Sequence, residues 1–194
     1  MVPRLWPGET VACLATGASL TVDQIAIVRR AGWRMLAISD AVYLAPDADM
    51  LFSHDGKWWH WHKPAFSGLR VCGQGSVTLP DILVLRPGHS GVVLEDDPGH
   101  LAGTSSGHQA INLAYLLGAA RIVLLGYDMH GGHFFGDHPA MLATPARFGD
   151  WIVEMGRMAV ALADRSIEVV NCSPGSALEC FTCDSLANLA RTTA

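Results

Sequence analysis

The sequence predicts an α/β protein built on a mostly parallel β-sheet. Three observations support this fold class. Short apolar segments of strand length recur along the chain, segments with helical spacing of apolar residues lie between them, and several strands end in small or polar residues. Half of the 194 residues are hydrophobic and 16% are charged, which is enough apolar material for a substantial core in one domain.

The first third of the chain predicts a strand, a helix and two further strands. Thr21 can cap the helix, because apolar residues follow it at helical spacing, and Gly32 can end it. The predicted elements, in chain order, are strand Thr10–Leu14, helix Val22–Ala31, strand Arg34–Ile38 and strand Ala48–Phe52.

Residues 56–103 are the least regular part, and we interpret them as an insertion or a lid. Only two short strands are predicted there, at Leu69–Cys72 and Ile82–Leu85. The segment also holds three closely spaced tryptophans, and aromatic faces stack on bases and sugars. The tryptophans are therefore candidate contacts for an acceptor substrate: Trp58, Trp59 and Trp61.

Residues 104–138 are the most informative segment of the chain. They predict a small-residue turn, a buried helix over His108–Leu117, an apolar strand, and a loop rich in aspartate and histidine. A helix from Ala146 to about Asp164, a last strand over Ile167–Val170, a short helix and a polar tail complete the chain.

Composition restricts the classes of partner. The net charge of −5 and the lack of a lysine- or arginine-rich run disfavour non-specific binding to nucleic acid. No apolar stretch reaches the ~20 residues of a membrane span, and the first residues lack the features of a signal peptide. We therefore expect a cytoplasmic protein without a membrane span.

Small and polar residues at the strand ends predict a nucleotide-binding crevice. The carboxyl ends of parallel strands meet at one edge of the sheet, and open α/β sheets bind ligands there. No dinucleotide fingerprint and no P-loop is present. The candidate nucleotide-binding residues at these ends are Gly17, Ser19, Leu20, Ser39, Asp40, Tyr127, Asn171 and Ser173.

A second candidate is the start of the helix that follows Thr104. Hydroxyl side chains there can cap the helix, and its free N–H groups can hold an anion such as a phosphate. This reasoning adds Ser105, Ser106 and Gly107 to the nucleotide-binding candidates.

The loop after the apolar strand suits two kinds of chemistry. Asp128, His130 and His133 are of the residue types that bind a divalent ion, such as Mg²⁺ or Mn²⁺. Alternatively, a histidine held by a carboxylate deprotonates an acceptor hydroxyl as a general base. The spacing alone leaves both open.

Three segments of the sequence resemble a phage- and bacterium-encoded Rossmann-like family. They are GASL at Gly17–Leu20, TSSGHQAINLAYLLGAARIVLLGYDMHGG at Thr104–Gly132, and IEVVNCSPGSAL at Ile167–Leu178. That family is related to the small bacterial sialyltransferases that use CMP-sialic acid. It is also similar to a domain family that includes an archaeal 6-hydroxymethylpterin pyrophosphokinase. The resemblance covers most of the chain except about residues 56–103.

The resemblance implies a Rossmann-like three-layer sandwich and a single nucleotide-binding domain over residues 1–194. Gly17, Ser19 and Leu20 match the family's turn at the nucleotide, while Ala18 replaces its proline. Ser39-Asp40 stands where the second strand of the family ends in an asparagine that contacts the nucleotide. Ser105-Ser106-Gly107 matches its Thr-Ser-Gly turn, and His138 is the closest match to its catalytic base.

These matches imply a transferase that uses a nucleotide-activated donor, most directly a sialyltransferase-like glycosyltransferase. His138 would take the proton of the acceptor hydroxyl, and Asp128 or Asp137 would orient its imidazole. Two alternatives stay open: a pyrophosphokinase-like phosphotransferase that uses ATP and a divalent metal, and a non-catalytic nucleotide-binding phage accessory protein. The acceptor (a small molecule, a glycan or a modified base) and the formation of a homo-oligomer are left open as well.

Overall fold

The computed structural model describes residues 1–73 and 77–192. Its strands are β1 Thr10–Leu14, β2 Arg34–Ile38, β3 Met50–Ser53, β4 Leu69–Cys72, β5 Ile82–Val84, β6 Arg86–Pro87, β7 His100–Leu101, β8 Arg121–Leu125, β9 Glu168–Asn171 and β10 Thr182–Cys183. Its helices are α1 Val22–Arg30, α2 Gly56–His62, α3 Ser106–Leu117, α4 Phe148–Asp164 and α5 Leu186–Thr192, with a 3₁₀ helix at Ser39–Tyr43.

Eight of these strands form one sheet in the order β10-β9-β8-β1-β2-β3-β4-β5, and all their pairings are parallel. Because side chains alternate along a strand, β1 faces both sides of the sheet. Val11 and Cys13 belong to the core on one face, and Ala12 and Leu14 to the core on the other.

Helices cover both faces of the sheet. Apolar residues of α3 and α4 fill the first core, and apolar residues of α1, α2 and α5 fill the second. The predicted α/β, Rossmann-like three-layer architecture is therefore confirmed. No helix in the described part of the chain is long and apolar enough to cross a membrane.

The predicted element boundaries agree closely with the structure at the start of the chain. β1, β2 and β4 occupy the predicted residues. The Thr21 side chain accepts a hydrogen bond from Gln24 N, and the Gln24 side chain accepts one from Thr21 N. This capping box fixes the start of α1. β3 begins at Met50, two residues later than predicted. Ala48 still belongs to the preceding turn, because its N–H donates to Ala45 O.

Segment 56–103 is only partly irregular. Asp55 caps α2 through a 2.8 Å bond from Lys57 N, and β4 and β5 extend the main sheet. β6 and β7 stand outside that sheet and pair with each other. The first half of the presumed insertion is thus part of the sandwich.

A histidine buried under α4 makes the stability of the fold depend on pH. His108 of α3 is 3% exposed, and neither ring nitrogen has a hydrogen-bond partner among the described residues. Burial lowers the pKa of His108 below its ordinary 6.5, although the Glu154 carboxylate, 3.5 Å from Nδ1, opposes this.

We therefore expect the protein to lose stability as the pH falls below about 6.5, because the unfolded chain takes up this proton first. The replacement His108→Gln removes the titrating group, so the fall in melting temperature between pH 7.5 and 5.5 becomes smaller. It does not vanish, because burial also lowers the pKa of His133. Thermal melts at both pH values measure the effect, with the exposed His60→Gln as control. An unchanged fall in His108→Gln would contradict it.

Candidate functional site

The carboxyl edge of the sheet has a topological switch between β1 and β8. The two strands are parallel neighbours, but β1 leads to α1 on one face of the sheet and β8 leads to α4 on the other. The loops after these strands therefore diverge, and open α/β sheets bind ligands in the crevice that such divergence leaves. Both sequence segments with the strongest candidate residues begin here.

The loop after β1 and the loop after β8 are joined by hydrogen bonds. Gly17 N donates to Gly126 O at 2.9 Å, and Ser19 N donates to Asp128 Oδ2 at 2.9 Å. The Ser19 hydroxyl donates to Asp128 Oδ1 as well. An alanine Cβ at Gly17 would lie 2.7 Å from Asp128 Cγ and closer still to the Gly126 carbonyl oxygen, so only glycine fits.

The histidine-rich loop folds back over the same turn. A β-bridge joins His133 to Gly17, and Phe134 N donates to Thr16 O at 3.1 Å. His133 Nδ1 lies 2.9 Å from the Thr16 hydroxyl. Burial lowers the pKa of His133, and the nearby His138 lowers it further, which favours neutral imidazole.

His138 lies at the centre of this arrangement. Its ring is 4.6 Å from that of His133 and 4.9 Å from that of Phe135, centroid to centroid. Its Nδ1 atom is shielded from solvent and has no hydrogen-bond partner among the described residues. An imidazole held in this way, at the edge of the sheet where the two loops meet, is of the side-chain type that transfers protons in enzymes.

The predicted carboxylate partner of His138 is absent from this arrangement. Both oxygens of Asp128 accept bonds from Ser19, and Asp137 is exposed with no hydrogen bond to the imidazole. The prediction that Asp128 or Asp137 orients His138 is therefore not met. Asp128 instead holds the loop after β1 against the loop after β8.

The predicted metal site is not assembled either. Asp128 is engaged by Ser19, His130 Nε2 lies 3.0 Å from Gly175 O, and His133 bonds Thr16. In the described part of the chain these three residues are not a group whose ligand atoms lie within 4.8 Å of one another, so the set does not fit a Mg²⁺ or Mn²⁺ ion at this loop. We derive no chemistry through a metal here.

Polar groups also lie at the ends of β2 and β3, as predicted. The Ser39 hydroxyl bonds the Ser53 hydroxyl at 3.0 Å, with Ser39 in the left-handed region at φ 49°. Asp40 is buried, accepts a 2.8 Å bond from Trp58 Nε1, and lies 3.6 Å from His62 Nε2. Asp40 therefore fixes α2 to the edge of the sheet and has little surface for a ribose.

The start of α3 lies above the same edge. Ser105 caps the helix by accepting a 3.2 Å bond from His108 N, and the Ser106 hydroxyl accepts a 3.0 Å bond from His54 N, after β3. Gly107 lets the helix approach Tyr127, whose hydroxyl donates to Gly107 O. Both serine hydroxyls accept these bonds through their oxygens and keep their O–H donors, so the anion contact at Ser105, Ser106 and Gly107 stays a prediction.

Four further candidate nucleotide contacts are buried and make contacts within the protein. Leu20 belongs to the core, and the Tyr127 ring is 1% exposed. Ser173 accepts a bond from Tyr127 N at 2.8 Å, and Asn171 bonds Ser173 N and Leu178 O. These side chains join the ends of β8 and β9 and offer no free surface to a ligand.

The tryptophan-rich segment divides into a core face and a surface face. Trp58 and Trp59 are 3% and 1% exposed and pack in the core, so neither presents a ring face to an acceptor in this structure. Both indole N–H groups are used inside the protein, on Asp40 and on the Ser53 carbonyl. Trp61 is 51% exposed and keeps the predicted possibility of a ligand contact.

Trp61 lines a groove that the sequence did not predict. The groove encloses about 410 Å³ between α2 and the turn that follows His138, and its lining is Lys57, His60, Trp61, Met141 and Leu142. This is within the usual range for small-molecule pockets. Residues 57, 60 and 61 are spaced so that they lie on one side of a helix. A helix prediction for α2 would therefore have grouped these three groove residues.

Comparison with protein-family models, with curated proteins and with solved structures found no match to this chain. The assignment of a function therefore depends on the geometry of the site and on the motifs in the sequence.

Proposed function

We propose that this protein is a transferase that uses a nucleotide-activated donor, with His138 as its general base. A single observation carries the proposal. The imidazole of His138 lies beside the glycine turn at the β1/β8 switch. It contacts the ring of His133, and His133 in turn bonds the Thr16 hydroxyl, next to Gly17. The turn is the part of such folds that approaches a nucleotide most closely.

The sequence motifs support a sialyltransferase-like glycosyltransferase within this class. Gly17, Ser19 and His138 match the turn and the base of that family, and all three lie in loops at one edge of the sheet.

The proposed reaction is a direct displacement at the sugar carbon that carries the phosphate. The acceptor hydroxyl oxygen forms a bond to that carbon, and its proton moves to a ring nitrogen of His138. The bond from the carbon to the phosphate oxygen breaks, and the nucleotide leaves with the electron pair. Atoms and electrons balance in this displacement without an oxidant, a reductant or a metal ion.

The groove beside α2 is the proposed acceptor site. Its Leu142 belongs to the short turn that begins at Pro139, directly after His138, with Leu142 N donating to Pro139 O at 2.8 Å. Under this proposal an acceptor stacks on Trp61 and lies against the turn that connects to His138. Lys57 supplies the groove with a cation that would favour an acidic acceptor or the donor phosphate.

We expect His138→Asn to lose transfer activity by about 10²–10⁴-fold, the usual contribution of a general base. The assay incubates the protein with CMP-, UDP- and GDP-sugars and measures release of free nucleotide with and without a panel of acceptors. Arg157→Gln, on the exposed face of α4, is the control and should retain activity.

Three outcomes would contradict the proposal. If His138→Asn releases nucleotide as fast as the unaltered protein, His138 is not the base. If nucleotides raise the melting temperature but no donor is consumed, the protein is a non-catalytic binding module. Consumption of ATP only in the presence of Mg²⁺ or Mn²⁺ would indicate the phosphotransferase instead.

A further inference from the structure

A second cluster of chemically active side chains lies outside the edge described above. Strands β6 and β7 pair in parallel, with Arg86 opposite His100, and this pairing brings the residues after β6 close to β7. The rings of His89 and His100 consequently lie 4.3 Å apart, centroid to centroid. The sequence reasoning did not single out either histidine.

Asp97 completes a group of three metal-type donors. One donor atom from each of His89, Asp97 and His100 lies within 4.8 Å of the other two, and this group of three is the only such group in residues 1–73 and 77–192. Two imidazoles and one carboxylate form a donor set that Zn²⁺ and similar transition-metal ions prefer.

A buried carboxylate holds His89 in the orientation that a metal ligand needs. Glu95 is 4% exposed, lies 2.9 Å from His89 Nδ1, and also accepts a bond from His89 N. A histidine whose Nδ1–H donates to a carboxylate keeps the Nε2 lone pair free for a metal, and this pairing is general among metal-binding histidines. Burying a charged group is costly, so Glu95 requires such a partner.

Hydrogen bonds from the buried Asn112 hold the backbone of Glu95 in place. Asn112 of α3 accepts a 3.0 Å bond from Glu95 N and donates a 3.0 Å bond to Glu95 O, and it also accepts from Ala102 N at 2.8 Å. His100 Nδ1 lies 3.0 Å from Asp97 Oδ2, so these two proposed ligands already contact each other. Glu95, which lies outside the three ligands, orients the imidazole of His89 before any ion binds.

We propose that His89, Asp97 and His100 bind a divalent transition-metal ion of the Zn²⁺ class, with Glu95 as the positioning residue for His89. The His89 side chain is 57% exposed and that of Asp97 is 48% exposed, so an ion has access from solvent. With three protein ligands, a tetrahedral ion keeps one position for water or another ligand. The bound ion would fasten the β6–β7 segment, and this proposal does not depend on the transferase activity.

Calorimetric titration of the EDTA-treated full chain with Zn²⁺ tests the site. We expect one ion per chain, and Co²⁺ in its place should give the visible absorption of a tetrahedral complex. The double replacement His89→Ala with His100→Ala should abolish this binding, while His60→Ala, an exposed histidine elsewhere, should leave it unchanged. Glu95→Gln should weaken it by about 10–100-fold, the usual effect of losing such a partner.

A folding control and two possible results decide whether His89, Asp97 and His100 hold the ion. Circular dichroism of each metal-free variant establishes that it is folded, and the exposure of His89 makes folding of its variants the expected result. Absence of Zn²⁺ binding to the folded parent protein would overturn the proposal. Retention of full binding by the double variant would also overturn it, because the ion would then be held by other residues.

Discussion

Replacement of Trp59 by alanine is expected to lower the free energy of unfolding by about 3–5 kcal/mol, the usual cost of truncating a buried tryptophan. Trp59 is among the largest side chains that are fully buried, and it packs edge-to-face against Trp58 at a centroid distance of 5.2 Å. The replacement leaves a cavity beneath α2 and removes the 3.2 Å bond from the indole N–H to Ser53 O. Urea unfolding followed by circular dichroism measures the loss.

Trp61→Ala is the matched control for this prediction. Trp61 lies two residues further along the same helix but is about half exposed, so its truncation should change stability by no more than about 0.5 kcal/mol. Under the proposed function it should instead weaken acceptor binding. Equal losses of stability in the two variants would show that α2 does not pack as described.

Replacement of Gly17 by alanine is the second change with a large expected effect. The new Cβ would lie 2.7 Å from Asp128 Cγ, with the Gly126 carbonyl oxygen closer still, and a backbone carbonyl cannot move without displacing β8. We expect a loss of about 1–3 kcal/mol, typical of overpacking. We also expect the bonds from Ser19 to Asp128 to break, which would open the turn beside His138.

Gly132→Ala is the control, because a Cβ at that position has no neighbour within 4 Å. Unfolding in urea compares the stability of the two variants, and the nucleotide-release assay compares their activity. Under the proposed function Gly17→Ala loses activity even at temperatures where it is fully folded. A Gly17→Ala protein as stable as Gly132→Ala would show that the two loops are not in contact.

The helices and strands follow closely from local sequence patterns. Thr21 and Gln24 form both halves of a capping box that starts α1, and the apolar segment Thr10–Leu14 forms the central strand. α2 was missed because its seven residues include three tryptophans and two histidines, and aromatic residues are not strong helix formers. The helix is held in place by burial of Trp58 and Trp59, which is a tertiary effect.

The candidate site was only partly predictable. The sequence placed Gly17, Ser19, Asp128 and His138 at the ends of neighbouring strands, and the loops that carry them do meet at one edge. It did not indicate that both carboxylate oxygens of Asp128 accept hydrogen bonds from Ser19. It also did not indicate that Glu95 is the partner of His89. The position of a group at a strand end does not show which other group reaches it.

The α/β class, the parallel sheet and the edge at which polar groups gather could be predicted from the sequence, because apolar periodicity and capping act between residues close in the chain. Which of those polar groups remain free depends on contacts that form only in the folded protein. Ser19 and Asp128 are 109 residues apart in the chain, and Trp58 and Asp40 meet through the packing of a helix on a sheet. A hydrogen bond depends on a distance of about 3 Å, and such distances are fixed only when the whole core has assembled.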